Sequence, residues 1–253
     1  MSQVKLVVRT LALFEFYADA GEPLSLTELS RGLQAPMSST LALVRTLIGM
    51  GYLYQTHKRT YYPTKKLMGL CRLIDAKDPV LDIMHPYLIR LRDESDETIV
   101  LGTLEDLQVI YLDIEHSTQA IRYTAQPGDA RSLHANSLGK ALLSALDEGE
   151  LLKVISHIKM DQLTEKTLST RQDLLNDLAI SRQRGWSSNI AESVPDLAAI
   201  AAPFSLAGKW YAVSIVGPIA RMQSSWDKHL TLLTDVVQNL TRNEDANPMQ
   251  VGV

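Results

Sequence analysis

Only one of the 253 residues is a cysteine, Cys71. A single cysteine excludes an intrachain disulfide and a cysteine metal cluster, and it fits a reducing compartment. No apolar run approaches the ~18 residues of a membrane-spanning helix, so no membrane partner is expected. The opening Met1-Ser2-Gln3-Val4-Lys5 runs straight into an amphipathic pattern, without the apolar block and cleavage site of a secretory leader. The expectation is a cytoplasmic protein. Also missing are a nucleophile elbow, paired metal ligands and a dinucleotide glycine fingerprint. No catalytic residue, metal or cofactor is expected, and the chain reads as a non-enzyme.

What is present is ordinary for a globular chain: 45% apolar and 21% charged residues. The length suits two modest domains. The net charge of −4 hides an asymmetry: residues 1–75 hold nine Lys/Arg against five Asp/Glu, and the remainder sixteen against twenty-four. A basic front on an acidic body suits a protein of which only the front meets a polyanion.

Residues 4–18 read as a helix. Val4, Val7, Leu11, Phe14 and Ala18 keep helical spacing, and Leu6, Leu13, Phe16 and Tyr17 form a second stripe. A helix apolar on two sides belongs to a core, to a subunit contact, or to both. Ser25-Leu26-Thr27-Glu28 has capping-box spacing and predicts a second helix from Leu26 to about Gly32. Pro36 suits a first helical position, and a third helix follows from Met37 to about Met50, with Gly51 as its left-handed cap. Leu41, Val44, Leu47 and Ile48 form its inward stripe; Ser38, Ser39, Ala42, Arg45 and Thr46 face out. Two β-prone runs, 52–56 and 60–62, flank the basic tip His57-Lys58-Arg59. Three helices followed by a basic hairpin make a winged helix-turn-helix, whose third helix enters the major groove while the hairpin reaches the backbone or minor groove.

Thr64–Ala76 and Val80–Glu94 read as connecting helices, Cys71 being half-buried in the first. Strands are expected at Thr98–Thr103, Gln108–Glu115, Ala120–Ala125, Trp186–Ala191, Ala198–Phe204 and Tyr211–Val216. Helices are expected at Ser137–Leu146, Glu148–Ile155, Arg171–Gln183 and Arg221–Leu240. The fold class is α+β, divided into a winged helix-turn-helix domain (1–66), a linker helix (67–79), an α/β effector-binding domain (80–243) and a flexible tail (244–253).

In the rear domain, Asn136 and Ser137 open a helix, a ready place for a carboxylate. Leu138, Leu197 and Tyr123 would supply an apolar wall. Gly139-Lys140 has the look of a phosphate loop, but His134 stands where its first glycine belongs and Ala141 replaces the hydroxyl residue. His134 has no partner at metal-ligand spacing.

The chain resembles the IclR family of bacterial transcriptional regulators. The resemblance rests on Leu26–Leu29, Pro36–Ser39 and Gly51-Tyr52-Leu53 in front, and on Leu133–Ala141, Ile200–Pro203, Val213–Pro218 and Arg221 behind. It implies a homodimer or homotetramer that binds double-stranded DNA and carries a GAF-like domain for a small organic acid effector. It places Asn189 and Ser214 in the effector cavity, with Ala199 at the floor. The family commonly has Lys where this chain has Met37, Arg where it has Ala42, an acid at Asn189 and Cys at Ala199, so both sites are less charged here. The implied DNA contacts are Ser38, Ser39, Ala42, Arg45, Thr46, Lys58 and Arg59. The implied effector contacts are Tyr123, Asn136, Ser137, Leu138, Asn189, Leu197, Ala199 and Ser214. A dimer would read a near-palindromic operator. Two other readings stay open at this stage: a sensor module without specific DNA binding, and a small-molecule enzyme.

Overall fold

The computed structural model describes residues 4–75 and 78–246. It divides into two compact units, Met1–Asp78 and Pro79–Val253.

The N-terminal unit contains α1 (Lys5–Ala20), α2 (Leu26–Gly32), α3 (Met37–Gly49), strands β1 (Leu53–Gln55) and β2 (Tyr61–Pro63), and α4 (Lys66–Asp75). The helix boundaries follow local chemistry. Ser25 and Glu28 form a reciprocal capping box at the start of α2. Pro36 sits one position earlier than expected, at the cap of α3 rather than at its first helical position. Gly51 takes φ +78°, and Tyr52 N–H donates to the Leu47 carbonyl at 2.8 Å, closing the end of α3. The inward stripe of α3 is Thr40, Leu43, Val44 and Leu47; Leu41 and Ile48, expected inside, lie half-buried on its margins. Leu43, Val44 and Leu47, with Ile48 at the edge, pack with Leu13, Tyr17, Leu24, Leu29, Leu53 and Tyr61 into one small core. From α1 only Leu13 and Tyr17 are buried, and Val4, Leu6, Val7 and Leu11 are each more than half exposed. Cys71 is exposed, not half-buried.

The C-terminal unit is built on a six-stranded antiparallel sheet in the order β5-β4-β3-β8-β7-β6. Its strands are β3 (Thr98–Glu105), β4 (Gln108–Glu115), β5 (Ala130–Ser132), β6 (Ser187–Ile190), β7 (Leu197–Leu206) and β8 (Lys209–Pro218). Its helices are α5 (Pro79–Ser95), α6 (Ser137–Ala145), α7 (Glu148–His157), α8 (Arg171–Arg184), α9 (Ile219–Ser224) and α10 (Trp226–Ala246). Both faces of the sheet are covered, so the inner strands read as nearly unbroken apolar runs. Alternation sends Val100, Ala199, Ala201, Ala212 and Val216 toward α6 and α8. It sends Ile99, Leu101, Ala198, Ile200, Val213 and Ile215 toward α5 and α10. The four residues of β6 pair only with Ala198–Ala201 of β7; Pro203 lies just beyond.

In this unit three further expectations fail. Ala120–Ala125 forms no strand, because Ala130–Ser132 occupies the free edge of β4 instead. The closing helix is two helices broken at Ser225, which leaves the helical region at φ −123°. The tail expected from residue 244 is helical as far as Ala246, and residues 247–253 lie outside those described.

Candidate functional site

Two surfaces carry chemistry. The first belongs to the N-terminal unit. Ser38, Ser39, Ala42, Arg45 and Thr46 are all exposed on α3. They do not form one uniform face: Ser39, Ala42 and Thr46 also line a groove with Leu6, Arg9 and Thr10 of α1 and Leu67 of α4. Ser38 and Arg45 are exposed outside that lining. Arg45 is the only charged residue of α3. The hairpin after α3 is pinned at its tip: Thr56 N–H donates to the Thr60 carbonyl at 2.8 Å, and the two threonine hydroxyls meet at 2.6 Å. His57, Lys58 and Arg59 are exposed there, Arg59 in a left-handed conformation at φ +59°. Lys66 Nζ donates to the Met50 carbonyl at 2.8 Å and lies over the Tyr52 ring, tying α4 to the end of α3.

The second is a cavity of about 360 Å³ on the α6 side of the sheet. All eight residues singled out for an effector line it: Tyr123, Asn136, Ser137, Leu138, Asn189, Leu197, Ala199 and Ser214. They come from β6, β7, β8, the N-terminus of α6 and the segment between β4 and β5. Asn136 caps α6, its Oδ1 accepting from Leu138 N–H at 2.9 Å. That fixes the amide orientation, and Nδ2 then donates to the Tyr111 hydroxyl at 2.9 Å. Tyr111 in turn meets the Tyr123 hydroxyl at 3.3 Å. Burial first, and then Tyr123, push the Tyr111 phenol above its ordinary pKa, so it stays protonated. Ser137 and Ser214 hydroxyls lie 3.2 Å apart.

Asn189 lines the cavity, but its amide is fully engaged by protein. Nδ2 donates to the Ala135 carbonyl and Ser193 Oγ, and Oδ1 accepts from Glu192 N–H. It staples the loop after β6, from which Ser193 and Val194 also line the cavity. Residues 191 and 192 are held by Thr164 and Thr167, whose hydroxyls donate at 2.6 Å to the Ala191 and Glu192 carbonyls. The Tyr123 segment is fastened as well: Thr98 Oγ1 donates to the Tyr123 carbonyl, and Arg221 donates to the Ile121 carbonyl while gripping both oxygens of buried Glu97 at 2.6 and 2.7 Å.

Sequence reasoning missed Tyr111, Arg131, Ser193 and Val194, which also line the cavity. Tyr111 carried a signal in the alternation of β4. Arg131 did not, because its three-residue strand was not anticipated. Gly139 and Lys140 have structural roles. A Cβ at Gly139 would strike the Leu133 backbone, and Lys140 is buried against Glu192. Among the described residues no three His, Cys, Asp or Glu side chains are grouped to hold a metal ion. No described helix is long and apolar enough to cross a membrane.

Comparison with known proteins matches this architecture part by part. The IclR helix-turn-helix domain model matches residues 6–57, and the model for the C-terminal domain of bacterial IclR transcriptional regulators matches residues 75–242. The transcriptional repressor IclR of Escherichia coli K12 is 30% identical over 232 residues, covering 87% of this chain and 82% of that protein. The regulator BhcR of Paracoccus denitrificans is 29% identical over 244 residues, covering 94% and 85%. Among solved structures, a Rhodococcus regulator superposes with a TM-score of 0.77 at 20% identity, over 95% of this chain and 98% of that one. An IclR homologue from Microbacterium hydrocarbonoxydans, solved with 4-hydroxybenzoate, gives 0.75 at 19% identity, over 96% and 100%. With a winged reader in front, a cavity-bearing sheet behind and both family models matched in that order, the chain belongs to the IclR family, which comprises effector-responsive transcriptional regulators rather than enzymes.

Proposed function

We propose that this regulator works in the cytoplasm as a homodimer or tetramer on a near-palindromic operator, and that a small organic acid in the cavity alters its grip on that DNA. The observation that carries the proposal is the convergence of Tyr123, Asn136, Ser137, Leu138, Leu197 and Ser214 on one cavity of about 360 Å³. That size, with a few polar groups among apolar walls, is what a small-molecule site requires. The relative solved with 4-hydroxybenzoate supports an acid of that size. The C-terminal sheet is read as GAF-like.

On the DNA side, Ser38, Ser39, Ala42, Arg45 and Thr46 present α3 to the major groove, and Lys58 and Arg59 bring the wing to phosphate. The exposed apolar residues of α1 and its cap support self-association, since Val4, Leu6, Val7 and Leu11 are each more than half exposed. Two α3 helices then reach half-sites ~34 Å apart. The acid shifts DNA binding only as far as it favours one arrangement of the assembly over another.

The test is fluorescence anisotropy on DNA flanking the chain's own gene, with and without candidate acids, in wild type and in Arg45→Ala and Lys58→Ala. Specific binding, weakened by both substitutions, supports the reading. Absence of specific binding at low salt overturns it and favours a sensor module without an operator, a reading to which the uncharged Met37 and Ala42 lend weight.

A further inference from the structure

Among the described residues the cavity lining holds one charged side chain, Arg131 on β5, and no carboxylate. The guanidinium sits at the β4–β5 end, 5.4 Å from the centre of the Tyr111 ring and beside Tyr123. Asp129 takes one of its five N–H groups at 2.8 Å, the Ala130 carbonyl takes another at 3.0 Å, and the guanidinium also donates toward the Tyr123 hydroxyl.

The hydrogens of the neighbouring phenols can be counted. Asn136 Nδ2 only donates, so Tyr111 accepts from it. Tyr111 and Tyr123 own two hydroxyl hydrogens and make one contact with each other. One phenolic hydrogen is therefore left for an acceptor in the cavity. This corner presents donors, one of them on a fixed positive charge. The other polar spot, the Ser137–Ser214 pair, is neutral, and by the same count also has one spare hydrogen. The wall between them is apolar: Val100, Leu138, Leu197 and Val216. A hydrogen bond from an ionised donor to an ionised acceptor is about twice as strong as a neutral one.

We infer that Arg131 determines the charge of the effector: the ligand's carboxylate seats on Arg131 and the Tyr111–Tyr123 pair, with its apolar body against Val100, Leu138 and Leu197. The inference rests on the reading of this cavity as the effector site. Asp129, already bonded to Arg131, keeps the guanidinium aimed and partly neutralised while the site is empty.

The test is calorimetric titration of the full chain with 4-hydroxybenzoate, benzoate and phenylacetate, each against its primary amide. Wild type should bind at least one acid about tenfold more tightly than the matching amide. Arg131→Gln should bring that ratio close to one by weakening the acid alone, and Arg131→Lys should restore part of it. A ratio that survives in Arg131→Gln, or a wild type that prefers no acid over its amide, overturns the inference. Ala199→Leu fills the cavity floor and separates the two layers. If it leaves acid binding intact, the cavity is not the effector site and both readings fall. If it abolishes binding while Arg131→Gln keeps the acid preference, only the role of Arg131 falls.

Discussion

Lys140 is 1% exposed, and its ammonium lies 2.8 Å from both oxygens of Glu192 and 3.4 Å from Asp177. Replacing it by methionine keeps most of the stem and removes the charge, leaving two carboxylates facing each other in a largely dry site. Breaking a buried ion pair costs about 3–5 kcal/mol. Glu192 and Asp177 keep 12% and 27% side-chain exposure, so some water reaches them and the lower end, about 3 kcal/mol, is expected for Lys140→Met. Urea unfolding followed by tryptophan fluorescence measures it. Trp186, Trp210 and Trp226 all belong to the C-terminal unit, so the signal reports on that unit alone. The double variant Lys140→Met/Glu192→Met should recover much of the loss, since the orphaned charge goes with its partner. The pH dependence has a definite sign. Burial raises the Glu192 pKa, and Lys140 pulls it back down. Without Lys140 the pKa climbs further, so Glu192 takes up a proton more readily on acidification. The deficit of Lys140→Met must therefore shrink between about pH 7 and about pH 5. A variant within about 0.5 kcal/mol of wild type, or a deficit that grows on acidification, refutes the reasoning.

On the DNA side, Lys58→Ala should lower affinity for specific and nonspecific DNA alike. It should flatten the salt dependence by about 0.9 in log–log slope per lost phosphate contact, read by anisotropy across a salt series. Leu11→Glu puts a charge into the exposed apolar face of α1 and should shift the sedimenting species toward monomer with helix content unchanged by circular dichroism. His229 is buried with Nε2 on the Ser95 carbonyl, and burial holds its pKa below the usual 6.5. As pH falls through that value the unfolded chain gains a proton that the folded chain refuses, so stability drops on acidification. In His229→Gln the unfolding midpoint should fall less steeply between about pH 7 and about pH 5.5.

The parts of the molecule legible in the sequence are those decided within a few residues. The Ser25–Glu28 box and Gly51 bounded α2 and α3 because capping is local chemistry. Part of the cavity was legible in the residues themselves, since Asn136 and Ser137 open a helix, whereas Asn189, Ala199 and Ser214 were placed there by the family resemblance. Failures arose where distant partners decide. Ile121 and Tyr123 look β-prone, yet strand formation needs a neighbour, and Ala130–Ser132 took the place beside β4. A lysine in a short helix ordinarily reaches water; Lys140 is buried because Glu192, 52 residues away, arrives at its tip. Arg131 escaped notice because its strand is only three residues long and forms by pairing with β4.

Pro203 gives the sheet a final property. Beyond Ala201 no strand among the described residues neighbours the outer flank of β7, and the second residue along it, Pro203, has no N–H to offer. At the opposite border the last strand is only three residues long. Both margins are thus poor templates for an incoming chain, so cross-β polymerisation is discouraged.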